Sequence, residues 1–84
     1  MRIDVLLDKL CLVKHRSIAK NACDKDLVLL NGEPVKPSKK VQVGDRIKIM
    51  LYGFIVECEV TEIPKGNVSK SDTQKYYKLL VKNQ

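Results

Sequence analysis

The sequence predicts an α+β fold in which two N-terminal helices pack on a small sheet of about four to five short strands. Three observations carry this expectation. Apolar residues in the first quarter recur at helical spacing, those after residue 46 alternate at strand spacing, and an Asn-Gly pair between them marks a hairpin turn. With 84 residues there is room for one domain and one modest core, and 44% hydrophobic against 31% charged residues is ordinary for a globular chain.

Ile3, Leu6, Leu7, Leu10 and Cys11 recur at i, i+3, i+4, i+7 and i+8 and predict the first helix. Asp4 falls in its first turn, where a carboxylate can cap free amides and complement the helix dipole. The second helix begins between His15 and Ser17, with Ser17 as its cap and Ile18, Ala19, Ala22 and Cys23 as its apolar side. The small Ala19 and Ala22 let the two helices approach closely. The stretch from Asp24 to Asp26 ends the helix, since Asp tolerates the left-handed conformation that a helix stop often needs.

Leu27 to Leu30 reads as a short strand and Asn31-Gly32 as its turn. Val35 resumes an extended segment in which Pro34 and Pro37 forbid helix. Val43-Gly44-Asp45 is a tight turn. Beyond it Ile47, Ile49 and Leu51 alternate with Arg46, Lys48 and Met50, the mark of a strand with two unlike faces. Phe54 to Ile63 is a further strand broken by Pro64, and 66–72 is expected to be a mobile polar loop. Tyr76 to Val81 is a closing strand, with a short helix as the alternative. The domain therefore covers 1–84, with a core motif over about 1–50 and C-terminal strands over 46–82.

The function classes that remain are few. The longest apolar run is far short of the roughly 20 residues that cross a bilayer, so no membrane partner is expected. The N-terminus has acids within its apolar stretch and no small-residue cleavage site, unlike a signal peptide, so the chain is read as cytoplasmic. Cys11, Cys23 and Cys58 are an odd set without Cys-x-x-Cys spacing, and His15 completes no common zinc pattern with them. Cys11 and Cys23 are expected to be small buried hydrophobes. No phosphate loop, catalytic dyad or acidic cluster is present, so neither a catalytic residue, a metal nor a cofactor is expected, and the chain is not read as an enzyme.

Charge points to a polyanion. The net charge is +6, and residues 1–48 hold 11 Lys/Arg against 6 Asp/Glu while 49–84 hold 5 against 4. Arg2, Lys14, Arg16, Lys20, Lys36, Lys39 and Lys40 are the candidate phosphate contacts. Arg16, at a helix start, combines a planar fork with the free amides of the helix N-terminus, and Lys20 lies one turn further on the same face. Lys36, Lys39 and Lys40 form a second rail beyond the hairpin. The aromatics Tyr52, Phe54, Tyr76 and Tyr77 lie in the other half, which argues for shape and backbone recognition of folded RNA over base stacking. Phe54 and one of Tyr76 and Tyr77 are expected in the core.

Arg2-Ile3-Asp4 with Leu7, Lys14-His15-Arg16-Ser17-x-Ala19, Ala22-Cys23, Val28-x-x-Asn31-Gly32-x-x-Val35-Lys36-Pro37-Ser38 and Val43-Gly44-Asp45 together resemble the S4 RNA-binding domain, or alpha-L motif, over residues 1 to 50. The resemblance implies two helices in an L on a small sheet, with RNA held by the second helix and the hairpin. Members with a catalytic domain carry this module beside it; the layout here is similar to small bacterial members that act on obstructed large ribosomal subunits, and to a heat-shock protein of the family that binds such subunits. That likeness implies large-subunit ribosomal RNA and tRNA as partners of a monomer, with a quality-control protein alongside. It places Arg2, Asp4 and Arg16 at the surface touching RNA, with Asp4 orienting Arg2 or Arg16 through a salt bridge or serving as a simple helix cap, and adds His15, Ser17 and Asn31 to the RNA-binding set. Three departures from the family pattern stand out. Asp26 replaces a usual Gly, Leu27 and Leu29 replace alternating cations, and His15, whose charge would make binding pH-sensitive, replaces Thr, Ser or Arg. The expected function is RNA binding in the rescue of stalled translation by positioning tRNA. The alternatives are ribosome assembly or general structured-RNA binding, and a protein-interaction module built on the Leu27/Leu29 surface.

Overall fold

Two short helices, α1 (Ile3–Lys9) and α2 (Arg16–Asp24), stop in the same way. After α1 the Cys11 backbone turns left-handed (φ 56°), its N–H donates to the Asp8 carbonyl at 3.1 Å, and the Leu12 N–H donates to the Leu7 carbonyl at 3.0 Å. After α2 Asp26 is left-handed (φ 59°), its N–H donates to Cys23 at 3.1 Å, and the Leu27 N–H donates to Ala22 at 2.8 Å. This double bond pattern is the Schellman stop, which satisfies orphan carbonyls and turns the next apolar residue inward. Leu12 and Leu27 occupy that position in the two helices, and both pack against the core.

The computed structural model describes residues 1–51 and 53–83, so the aromatic Tyr52 lies outside the described residues. The strands are β1 (Val28–Leu30), β2 (Glu33–Pro34), β3 (Arg46–Leu51), β4 (Phe54–Val60) and β5 (Tyr77–Asn83). They form one antiparallel sheet in the order β2-β1-β3-β4-β5. This is the α+β arrangement that the sequence predicts. Asn31 (φ 52°) and Gly32 (φ 86°) are both left-handed, which gives the two-residue hairpin the twist its strands need. The Asn31 amide Nδ2 donates to Asp45 at 3.1 Å and its carbonyl accepts the Arg46 N–H at 2.9 Å, so this turn is tied to the turn that opens β3.

One face of the sheet carries the core. Val28, Leu30, Ile47, Ile49, Cys58 and Val60 meet Ile3, Leu6, Leu7 and Leu10 of α1 and Ala19, Ala22 and Cys23 of α2, all buried. The other face is open. Across it Arg46, Glu59 and Lys78 fall in one register row, and Lys48 faces Glu57.

Five sequence expectations are corrected. Cys11 is exposed, because the periodicity that included it ran past the end of α1 into the helix stop. Ser17 does not cap α2: the helix starts at Arg16, His15 takes the cap position, and no side-chain cap bond forms. Leu27 is no surface residue, since the helix stop tucks it against the core and leaves only Leu29 on the open face. Phe54 is half-buried and outside the core cluster, whereas Tyr76 and Tyr77 both pack on its edge. The polar loop over 66–72 gives way to a short 3-10 helix, Lys70–Lys75. There the Ser69 hydroxyl donates to Asp72 at 2.9 Å and Lys75 pairs with the same carboxylate at 3.2 Å, which together hold Asp72 below the usual carboxylate range.

Burial pushes the Cys23 and Cys58 thiols up to about 11 from an ordinary 9.0, with Asp4 and Asp24 charges adding at Cys23 and Glu57 at Cys58. Such thiols stay neutral in the fold and ionise in the unfolded chain, so their contribution is present below pH 9 and is lost as pH rises toward about 11. A thiol reagent at pH 8 is expected to titrate Cys11 alone in the native protein, and all three cysteines after denaturation. Fast reaction of two or more native thiols would contradict the burial. Cys11→Gly relieves a left-handed side chain and is expected to raise stability by about 0.5–1 kcal/mol, read as a higher denaturation midpoint.

Candidate nucleic-acid interface

The start of α1 is stitched to the segment beyond the hairpin. The backbones of Arg2 and Lys40 form an isolated antiparallel β-bridge, the Ile3 N–H donates to the Lys39 carbonyl at 2.7 Å, the Asp4 N–H to the Pro37 carbonyl at 3.3 Å, and the Val41 N–H to the Met1 carbonyl at 2.8 Å. Buried Ile3 and Val41 anchor the two strands of this seam. The consequence is spatial: the rail at Lys36, Lys39 and Lys40 runs beside Arg2, although 34 or more residues separate them in sequence.

Asp4 ties this seam to α2. Its side chain is 1% exposed, and both oxygens are fully engaged. Arg2 donates Nε to Oδ1 at 3.2 Å and Nη2 to Oδ2 at 3.1 Å; Arg16 donates Nε to Oδ2 at 3.2 Å; the Val5 N–H donates to Oδ1 at 2.8 Å. The resemblance places Asp4 at the surface. Instead the carboxylate is buried and its two arginines are not, with side chains 45% and 52% exposed. The resemblance leaves Asp4 either in a salt bridge to Arg2 or Arg16 or as a simple helix cap; both bridges form, and Oδ1 also accepts the first-turn Val5 N–H.

The arginines keep unused donors. Neither Nη of Arg16 has a partner among the described residues, nor do the backbone amides of Arg16 and Ser17 at the start of α2. Those groups gather planar guanidinium donors and helix-terminal amides in one place, a combination suited to phosphate oxygens. Lys14, His15, Ser17 and Lys20 are exposed on the same helix and its approach, and Lys36, Lys39 and Lys40 are exposed on the rail. None of these lysines is in an ion pair among the described residues. Asn31 stands apart from them in one respect, because its amide is already engaged with Asp45 and Arg46. No group of three or more metal-ligating side chains occurs among the described residues, and no helix there is long and apolar enough to cross a membrane.

The Asn31–Asp45 crosslink and the shared role of Asp4 lay beyond sequence reasoning. Only the Asn-Gly and Val-Gly-Asp turns hinted that the two loops meet.

Residues 1–47 match the model of the S4 domain. The chain is 42% identical over 77 residues to the RQC P-site tRNA stabilizing factor of Helicobacter pylori strain J99, covering 90% of this chain and 92% of that one. It is 30% identical to the protein of the same name from Bacillus subtilis strain 168, over 95% of this chain and 92% of the other. Among solved structures it resembles Heat Shock Protein 15 of Vibrio cholerae, reported as a trimer, with a TM-score of 0.88 at 26% identity over 95% of this chain and 81% of that one.

Asp4→Asn removes the charge that both arginines share. Because the arginines reach water, the expected cost is about 1–3 kcal/mol rather than that of a fully buried pair. A double-mutant cycle with Arg16→Gln checks this: Asp4→Asn should cost clearly less in the Arg16→Gln background, and strict additivity would show that the pair is not coupled.

Proposed function

The chain belongs to the S4 domain family, and on that premise we propose that it binds large-subunit ribosomal RNA together with tRNA in the rescue of stalled translation. The relatives' name, RQC P-site tRNA stabilizing factor, supports the tRNA side of this reading. The observation that carries the RNA surface is the buried Asp4 carboxylate, which draws Arg2 and Arg16 together beside the lysine rail. Arg2, Lys14, Arg16, Lys20, Lys36, Lys39 and Lys40 contact phosphate, His15 and Ser17 line the start of α2, and Asn31 holds the hairpin in place beside them. Asp4 orients and touches no RNA.

The protein contributes position and no covalent chemistry. A rigid cationic surface that touches both ribosomal RNA and tRNA lowers the freedom of the tRNA between elongation steps, while a quality-control partner supplies any further activity. It works in the cytoplasm, where ribosomes are. We take it to act as a monomer, the bulge opposite Glu57/Cys58 and Lys78 on β5 opposing edge-to-edge pairing although Leu79 and Leu80 of that strand are exposed. Ribosome assembly is the competing role, on the same surface but without dependence on tRNA.

Gradient co-sedimentation with bacterial large subunits, with and without bound peptidyl-tRNA, tests this reading. Association is expected to require peptidyl-tRNA, to be lost in Arg16→Gln, and to weaken with salt at a log–log slope of about −0.7 to −0.9 per phosphate contacted. Arg16→Gln is preferred to Arg16→Glu because a second carboxylate beside buried Asp4 would disturb the fold. Equal binding to empty subunits would assign the protein to assembly, and binding indifferent to salt and to Arg16 would overturn the interface.

A further inference from the structure

A shallow depression of about 650 Å³, open to solvent, lies along the hairpin edge. Leu30, Pro34 and Val35 give it apolar lining, and Glu33, Lys36 and Lys39 are the charged residues around it. Leu30 pairs with Glu33 across the hairpin, so both fall on the helix side of the sheet, whereas Pro34 pairs with Leu29 and turns to the open face, forming only the rim of the depression at the edge where the chain departs toward Lys36.

Glu33 is out of place on a phosphate-binding surface. It is the only carboxylate between Asn31 and Lys40, it is exposed, and it forms no ion pair or side-chain hydrogen bond among the described residues. Next to phosphate a free carboxylate repels. Against the edge of a base it accepts hydrogen bonds, as acidic side chains do from base amino groups. Guanine suits it best, because its N1–H and N2–H donors are adjacent and parallel, matching the two oxygens of one carboxylate. Apolar lining takes the ring, and Lys36 and Lys39 are placed for the phosphates on either side.

The geometry points to a pocket for one unpaired guanine, extruded from the RNA that the cationic surface grips. The pocket rests on the RNA-binding reading above and adds a base preference to it. RNA is commonly recognised through such splayed bases in loops and bulges.

Fluorescence anisotropy with three synthetic RNA stems tests it: one fully paired, one with a single bulged guanine, one with a single bulged uracil. The wild-type protein is expected to bind the guanine bulge about tenfold more tightly than the other two, the size of one base-reading contact. Glu33→Gln should lose that preference while binding the paired stem as well as wild type or better. If Glu33 only tunes surface charge, its removal tightens all three stems alike and the guanine preference, if any, survives; that result overturns the pocket. Equal wild-type binding to all three stems overturns it too. In either case loss of all stem binding in Arg16→Gln leaves the RNA interface intact, whereas a wild-type protein that binds no stem removes both.

Discussion

A carboxylate withdrawn from water must be satisfied, and Asp4 meets that demand with the two arginines at the protein surface. Everything at the basic end of the molecule depends on this joint. It binds the start of α1 to the start of α2, and the backbone seam next to it binds α1 to the segment beyond the hairpin. Three stretches of chain that are remote in sequence therefore present their cations together. Without the shared carboxylate, two guanidinium groups would face one another with only repulsion between them.

The rest of the molecule keeps charge away from that end. On the open sheet face, opposite charges alternate across strands: Arg46 lies 3.9 Å from Glu59, with Lys78 next in the row, and Lys48 stands opposite Glu57. Residues 49–84 are nearly neutral overall, with 5 Lys/Arg against 4 Asp/Glu. Lys20 of α2 and the lysines of the rail have no such partners among the described residues, so their charge stays uncompensated beside Arg2 and Arg16. A polyanion sees a directed field rather than a diffuse one.

Much of this was legible in the sequence where a local signal and the global pattern agree. The Asn-Gly turn, the alternation in β3 and the small alanines of α2 each have one good structural reading, and each is realised. Asp26 was legible as well, since Asp is a reasonable residue for a left-handed helix stop. Its counterpart Cys11 was not. The spacing of Cys11 continues the apolar stripe of α1, and nothing about a thiol announces a left-handed backbone, so periodicity extended the helix past its end. Leu27 failed for the same reason in reverse: it looked like exposed apolar surface until the helix stop turned it inward. The site divides along the same line. Candidate cations could be named from charge and motif, whereas the burial of Asp4 depends on tertiary packing that no spacing encodes.

That burial also bears on how an RNA surface can be both cationic and ordered. Long basic side chains lose about 2 kcal/mol of rotamer entropy each when they are immobilised, and on a loose surface the loss falls at the moment of binding. Here Arg2 and Arg16 are held by Asp4 before any ligand arrives, so part of the loss is met during folding. The carboxylate subtracts one charge from the pair and leaves a net +1 at the joint. Coulomb attraction at a wet surface is weak, on the order of 1 kcal/mol at contact distance in water, so one charge fewer costs little. Directed, pre-ordered donors gain more than that in hydrogen bonds to phosphate, which is why an acid at the centre of a basic surface strengthens it.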